Sequence, residues 1–192
     1  LTVLFGQSGL GKTSLLRAGI VPRLRAEGYC PVYVRIDYAR GSPAPSEQIK
    51  QAIFKATAAA GYWTQAGAAI EGESLWEFLH HRGDLLRDAD GHVLMPLLIF
   101  DQFEEMFTLD VADSAAKEEF FKQLGIVLQN RNRWAIIAMR DDFIGAIAPY
   151  QQWLPTRLAH RYRLELLTPK AANESIRGPA KAVGVEYDDG AV

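Results

Sequence analysis

Apolar residues along the chain gather in short unbroken runs, and the stretches between them carry them at helical spacing. "LTVLF" (Leu1–Phe5), "PVYVRID" (Pro31–Asp37), "HVLMPLLIFD" (His92–Asp101) and "RWAIIAMR" (Arg133–Arg140) read as strands, and "RYRLELL" (Arg161–Leu167) as a fifth. Leu15, Leu16, Ile20 and Leu24 predict a helix over Gly11–Ala26, with Pro22 kinking or ending it. Ser46 is the expected cap of a helix over Glu47–Ala60, and Ser74 with Glu77 has the capping-box spacing. A helix over Ser114–Gln129 would turn Phe120, Phe121, Leu124 and Val127 inward, and Thr168 with Pro169 opens a last one.

Strands that are apolar almost throughout, alternating with helices, predict an α/β fold: a three-layer αβα sandwich around a mostly parallel sheet of five strands. Residues 1–167 would form this core, and 168–192 would begin a helical subdomain. Composition adds bounds. Hydrophobic residues make up 48% and charged residues 23%, an ordinary globular balance, and the formal net charge of -2 does not call for nucleic acid as a partner. One cysteine, Cys30, excludes an internal disulfide; with no signal peptide visible, the cytoplasm is the expected compartment. The apolar runs are too short to span a bilayer. The chain starts inside an apolar run and stops at "DDGAV", so it reads as a piece of a longer protein.

Candidate chemistry begins at "GQSGLGKT" (Gly6–Thr13), which fits G-x-x-x-x-G-K-[ST] between a strand and a helix. Glycines at 6, 9 and 11 let the backbone curl so that N–H groups converge on phosphate oxygens, and the helix N-terminus adds partial positive charge. Lys12 would reach the β- and γ-phosphates, and the Thr13 hydroxyl would ligate Mg²⁺. The nucleotide-binding residues expected are thus Gly6, Gln7, Ser8, Gly9, Leu10, Gly11, Lys12, Thr13 and Ser14, holding ATP or ADP with Mg²⁺. The plainer reading is a glycine-rich turn with an exposed lysine.

"LLIFDQFEEMF" (Leu97–Phe107) supplies the acid that such a loop needs at a neighbouring strand tip. Asp101 would hold Mg²⁺, or else cap the following helix. Glu104 is either the base that polarises the attacking water or the return partner of a capping box begun by Asp101. Glu105 is expected to pair with a nearby cation or lie exposed. Arg140 ends its strand at the same sheet edge, where it would read the γ-phosphate, or else pair with Asp141 or Asp142.

"FGQSGLGKTSLLRAGIVPRL", "LLIFDQFEEMF" and "AMRDDF" together resemble the STAND class of P-loop ATPases, and more narrowly the Novel STAND NTPase 1 domain. The resemblance runs through Arg17, Ala18, Gly19 and Pro22 after the phosphate loop and on to "SIRGPAKAVGVEYDDGAV", which is similar to the family's passage into its helical lid. It implies a nucleotide switch, held off with ADP and assembling with ATP. Its partners would be an effector and a repeat-type sensor in the same chain and further copies of itself, serving signalling or phage defence. Gln102 stands where many ATP-driven motors carry a catalytic glutamate, which implies slow hydrolysis. "RDDF" replaces the family's commoner "RADF", and Asp142 is placed to pair with Arg140. Gly178 and Pro179 resemble an adenine-contacting element and equally a simple helix break. An AAA+-type motor, a small-molecule kinase and a nucleotide-holding scaffold without turnover are the competing readings.

The remaining side chains suit structural roles. No metal-ligand spacing links His80, His81, His92 and His160. Trp63, Trp76, Trp134 and Trp153 are expected as core or interface anchors, and Arg157, Arg161 and Arg163 as a solvated face.

Overall fold

A computed structural model describes residues 1–39, 41–59, 72–82, 90–93, 95–108 and 114–185. Trp63 and the "EYDDGAV" end of the family-like passage lie outside them. The strands are β1 (Thr2–Gly6), β2 (Tyr29–Val34), β3 (Met95–Phe100), β4 (Trp134–Arg140) and β5 (Arg161–Arg163). They form one sheet in the order β2-β3-β4-β1-β5, and every pairing is parallel. All five carboxyl ends therefore share one edge.

The apolar runs are explained by burial on both faces. Val3, Leu98, Phe100, Ile137 and Met139 enter one core layer with Ile49, Phe78 and Phe121 of the helices. Their alternate neighbours Leu4, Leu97, Ile99 and Ala138 enter the other with Leu16 and Val21. Side chains alternate along a strand, so a strand covered on both sides must be apolar at every position. Each large side chain removed from water contributes about 1.5–3 kcal/mol, so these strand tips sit on a rigid platform.

The helices mostly follow the periodicity. α6 (Ser114–Leu128) buries Phe120, Phe121, Leu124 and Val127. α4 (Leu75–Arg82) has the reciprocal cap: the Ser74 N–H donates to Glu77 Oε2 at 2.8 Å, and the Glu77 N–H to Ser74 Oγ at 3.2 Å. α7 (Pro169–Ala182) starts with the Ala171 N–H on Thr168 Oγ1. Three expectations need correction. α3 (Pro45–Ala59) begins before Ser46, since the Gln48 N–H already donates to the Ala44 carbonyl; Ser46 lies inside and is no cap. Pro22 does not end its helix. α1 (Lys12–Ser14) passes into a π-helical turn (Leu15–Ile20) and then α2 (Val21–Ala26). The wider turn lies directly before the proline, whose ring and missing N–H disrupt α-type bonding to the preceding turn. Nor is α7 broken at Gly178-Pro179; it runs through both.

Trp76, Trp134 and Trp153 are 40%, 45% and 37% exposed, so none is a core residue. Trp76 stacks on His80 one turn away at 4.6 Å, and Trp153 lies under Lys122 at 4.8 Å. Arg157, Arg161 and Arg163 are exposed, as expected of a solvated face. Among the described residues, no helix is long and apolar enough to cross a membrane.

Candidate nucleotide site

The phosphate-loop glycines take the conformation the motif calls for. Gly9 and Gly11 have φ of +82° and +83°, and a Cβ on either would meet nothing within 4 Å, so the loop bends around open space. Gly6 is needed for another reason: its Cβ would come 2.6 Å from the Leu164 carbonyl, which follows β5. Lys12 Nζ donates to the carbonyls of Gly6 at 2.7 Å and Gln7 at 2.8 Å, arching over the loop.

β3 brings Asp101 to this loop. The Thr13 hydroxyl donates to Asp101 Oδ2 at 2.9 Å and is 3.2 Å from Oδ1. The acidic turn after Asp101 is tied across the sheet. The Phe103 N–H donates to the Ala138 carbonyl at 3.0 Å, and the Arg140 N–H to Glu104 Oε2 at 3.3 Å. The capping box is therefore not made. The Asp101 N–H donates to the Val34 carbonyl at 3.4 Å, and α5 (Glu105–Thr108) begins only after Glu104. Gln102 holds the turn in the left-handed region at φ 54°, a conformation unusual for a residue with a side chain.

In the β1–β4 register Gly6 is opposite Arg140, which puts the arginine at the sheet edge beside the loop. Its guanidinium pairs with Asp142 through two hydrogen bonds, one of them Nε to Oδ1 at 3.1 Å, and lies 5.4 Å from the Phe143 ring centre. Asp141 turns the other way, to Arg163 at 3.6 Å. Of the two ion-pair partners weighed for Arg140, Asp142 is the one it engages. Glu105 has the expected cation: Arg35 donates to it from two nitrogens, at 2.7 and 3.3 Å.

Ser8, Gly9, Gly11, Lys12, Thr13, Asp101, Gln102, Glu104 and Arg140 line one cleft of about 240 Å³. Gln7 and Leu10 instead border a small recess with Asp141 and Arg163. Ser14, the residue after Thr13, lines neither. The donor set suits Mg²⁺, which takes one or two protein oxygens and fills its octahedron with water and phosphate oxygens. Among the described residues, no group of three or more His, Cys, Asp or Glu gathers into a larger metal cage. Reasoning from sequence missed Arg35 and Tyr33. Arg17, one turn beyond Thr13, places its guanidinium 5.1 Å from the Tyr33 ring centre. Burial pushes the Tyr33 phenol up, and the charge of Asp101 pushes it further. No local spacing announces either residue, because β2 meets the loop helix and α5 only in the fold.

The whole chain, residues 1–192, matches Novel STAND NTPase 1. The protein belongs to that family. No curated protein matches the sequence significantly. Among solved structures, this STAND NTPase domain is similar to the Walker-type ATPase PABY2304 of Pyrococcus abyssi, with a TM-score of 0.63 and 16% identity over 98% of this chain and 55% of that one. It is also similar to the Aeropyrum pernix ORC2 protein in its ADPNP–ADP complexes, with a TM-score of 0.59 and 14% identity over 94% of this chain and 45% of that one. The Aeropyrum pernix ORC1 protein in complex with DNA gives 0.55 and 13%, over 94% and 43%. At such identities the likeness shows the fold, and the chain spans about half the length of these proteins. The three-layer P-loop architecture expected from the sequence is the one found.

Proposed function

We propose that this domain is an ATP-driven switch that binds ATP and ADP with Mg²⁺ and hydrolyses ATP slowly. The observation that carries the reading is the meeting of Thr13 and Asp101 beside the phosphate loop, with Glu104 and Arg140 at the adjoining strand tips. Lys12 and the loop amides would hold the phosphates, and Thr13 and Asp101 the metal, which supplies charge neutralisation on the transferred phosphoryl group. Glu104 would take the proton of the attacking water. Arg140 would sense the γ-phosphate by exchanging Asp142 for it.

A γ-phosphate shifts a two-state protein only if it contacts the two states differently. Arg140 offers such a contact, and residues 168–192, as the start of a lid, would be the moving part. The family supports a role in signal transduction or defence, within a longer cytoplasmic chain whose other domains act as effector and sensor and whose copies assemble on ATP. Calorimetry with Mg²⁺ and ATP or ADP tests the reading. Wild type should bind both and Lys12→Ala neither; equal affinity for the two nucleotides with no change in assembly would sink the switch.

A nucleotide-holding scaffold without turnover is the second reading, favoured by neutral Gln102 beside Asp101. Glu104→Gln separates the two. The amide oxygen keeps an acceptor for the Arg140 N–H, so binding should persist while hydrolysis falls about 10²-fold or more. Phosphate release that is absent from wild type would favour the scaffold.

A further inference from the structure

β2 forms an edge of the sheet, and an open groove of about 510 Å³ lies between it and α3. Half-buried Ala52 and Ala56 give it a small apolar floor, with buried Pro31 and Val34 beside them. Arg25, Arg35 and Lys55 stand exposed around it, and among the described residues no carboxylate lines it. Arg35 is engaged with Glu105, whereas Arg25 and Lys55 are in no ion pair among the described residues. On a chain of net charge -2 this is a local concentration of unneutralised cations.

The edge is a poor template for an added strand. The Val34 carbonyl faces β3, where it accepts from the Asp101 N–H. Backbone groups alternate from side to side along a strand, so Tyr33 and Pro31 face outward, and Pro31 has no N–H to offer. Recognition in the groove must therefore run through side chains. A nucleic acid would want a broad basic stripe and free aromatic faces, and here the Tyr33 ring is already under Arg17. A short peptide fits better: its carboxylates meet Arg25 and Lys55 while its side-chain stems lie on the apolar floor.

We propose that this groove docks an acidic peptide segment of a partner protein. The groove also touches the nucleotide motif. Arg35 holds Glu105, the residue after Glu104, so a partner carboxylate that competes for Arg35 releases the start of α5. The docking itself does not depend on the ATPase reading.

The test is fluorescence anisotropy of labelled hexaglutamate titrated with the full chain. Wild type should bind at low salt and release at high salt. Arg25→Glu with Lys55→Glu should weaken binding about tenfold or more, since each exposed pair contributes up to about fivefold. Should that variant melt early, Arg25→Gln with Lys55→Gln replaces it, with a smaller loss expected. Lys12→Ala should bind as wild type does, which separates the groove from the phosphate loop, and Glu105→Gln should bind a few-fold tighter. The proposal is overturned if hexaglutamate does not bind, if the charge variants bind unchanged, or if the Lys12→Ala variant alone abolishes binding. An oligothymidylate that binds more tightly and is lost with the same variants would assign the groove to nucleic acid and overturn it equally.

Discussion

The Thr13 hydroxyl donates across 88 residues of sequence to the Asp101 carboxylate, at 2.9 Å. The bond joins the first turn after the phosphate loop to the tip of β3 and holds two hard oxygen atoms within hydrogen-bond distance of each other. Thr13→Val should abolish the strengthening of ATP binding by Mg²⁺, at least tenfold, while affinity measured in a chelator changes little. Stability should fall by only about 1 kcal/mol, the usual net worth of a hydrogen bond. Calorimetry with and without Mg²⁺, beside a urea titration, checks both halves.

In the proposed switch, Asp142 is the group that a γ-phosphate would displace from Arg140. The pair is about half exposed on both sides, 43% and 51%, so its worth is that of a surface ion pair, about 0.2–1 kcal/mol. Asp142→Asn should therefore raise the preference for ATP over ADP by up to about fivefold, and should do nothing in an Arg140→Ala background. Nucleotide affinities of the four proteins form a double-mutant cycle, and equal ratios in wild type and Asp142→Asn would refute the exchange.

Gly125 is where α6 meets the 3₁₀-helical stretch that follows β4 (Asp141–Trp153). A Cβ there would sit 1.9 Å from the Trp153 carbonyl oxygen, a backbone atom that cannot step aside. Alanine gains about 1 kcal/mol of helix propensity over glycine, but overpacking of this severity costs about 3 kcal/mol. Gly125→Ala should accordingly lower the unfolding free energy by the difference, about 2 kcal/mol, read in a urea titration as a lower midpoint with an unchanged m-value.

Cys30 lies in β2, 2% exposed, and burial pushes its thiol from an ordinary 9.0 up to about 11. Between those values the folded chain keeps a proton that the unfolded chain gives up. The sign follows: the contribution is intact below about pH 9 and is lost as the pH climbs to 11. Wild type should lose up to about 2–3 kcal/mol over that window relative to Cys30→Ala, whose alkaline decline lacks this component. Denaturant melts at matched pH values measure it, and iodoacetamide should alkylate native Cys30 slowly at pH 8.

The strands, the parallel sheet and the loop–acid–arginine arrangement were legible because each is written in one short stretch. Apolar continuity gives a doubly covered strand, and glycine spacing gives the loop. A charge closing an apolar run gives a strand tip. What stayed hidden depends on neighbours across the sheet. Glu104 fits a capping box as a string of letters, yet the Arg140 N–H at the adjoining strand end captures it. Arg35 becomes the partner of Glu105 only because β2 lies beside β3. Trp134 sits in an apolar strand yet is 45% exposed, since it starts the strand at the rim.

The position of β1 in the sheet has a consequence in time. Among the described residues β1 bonds only to β4 and β5, whose residues begin at Trp134 and Arg161. As the chain leaves the ribosome, β2 and β3 can zip together while β1 still waits for either neighbour, with Val3 and Leu4 uncovered. Until residue 140 has emerged, the loop at the end of β1 has no fixed strand behind it and no Arg140 beside it. Nucleotide capture would thus come late in synthesis, and a nascent chain stalled between β3 and β4 would be the form most exposed to aggregation.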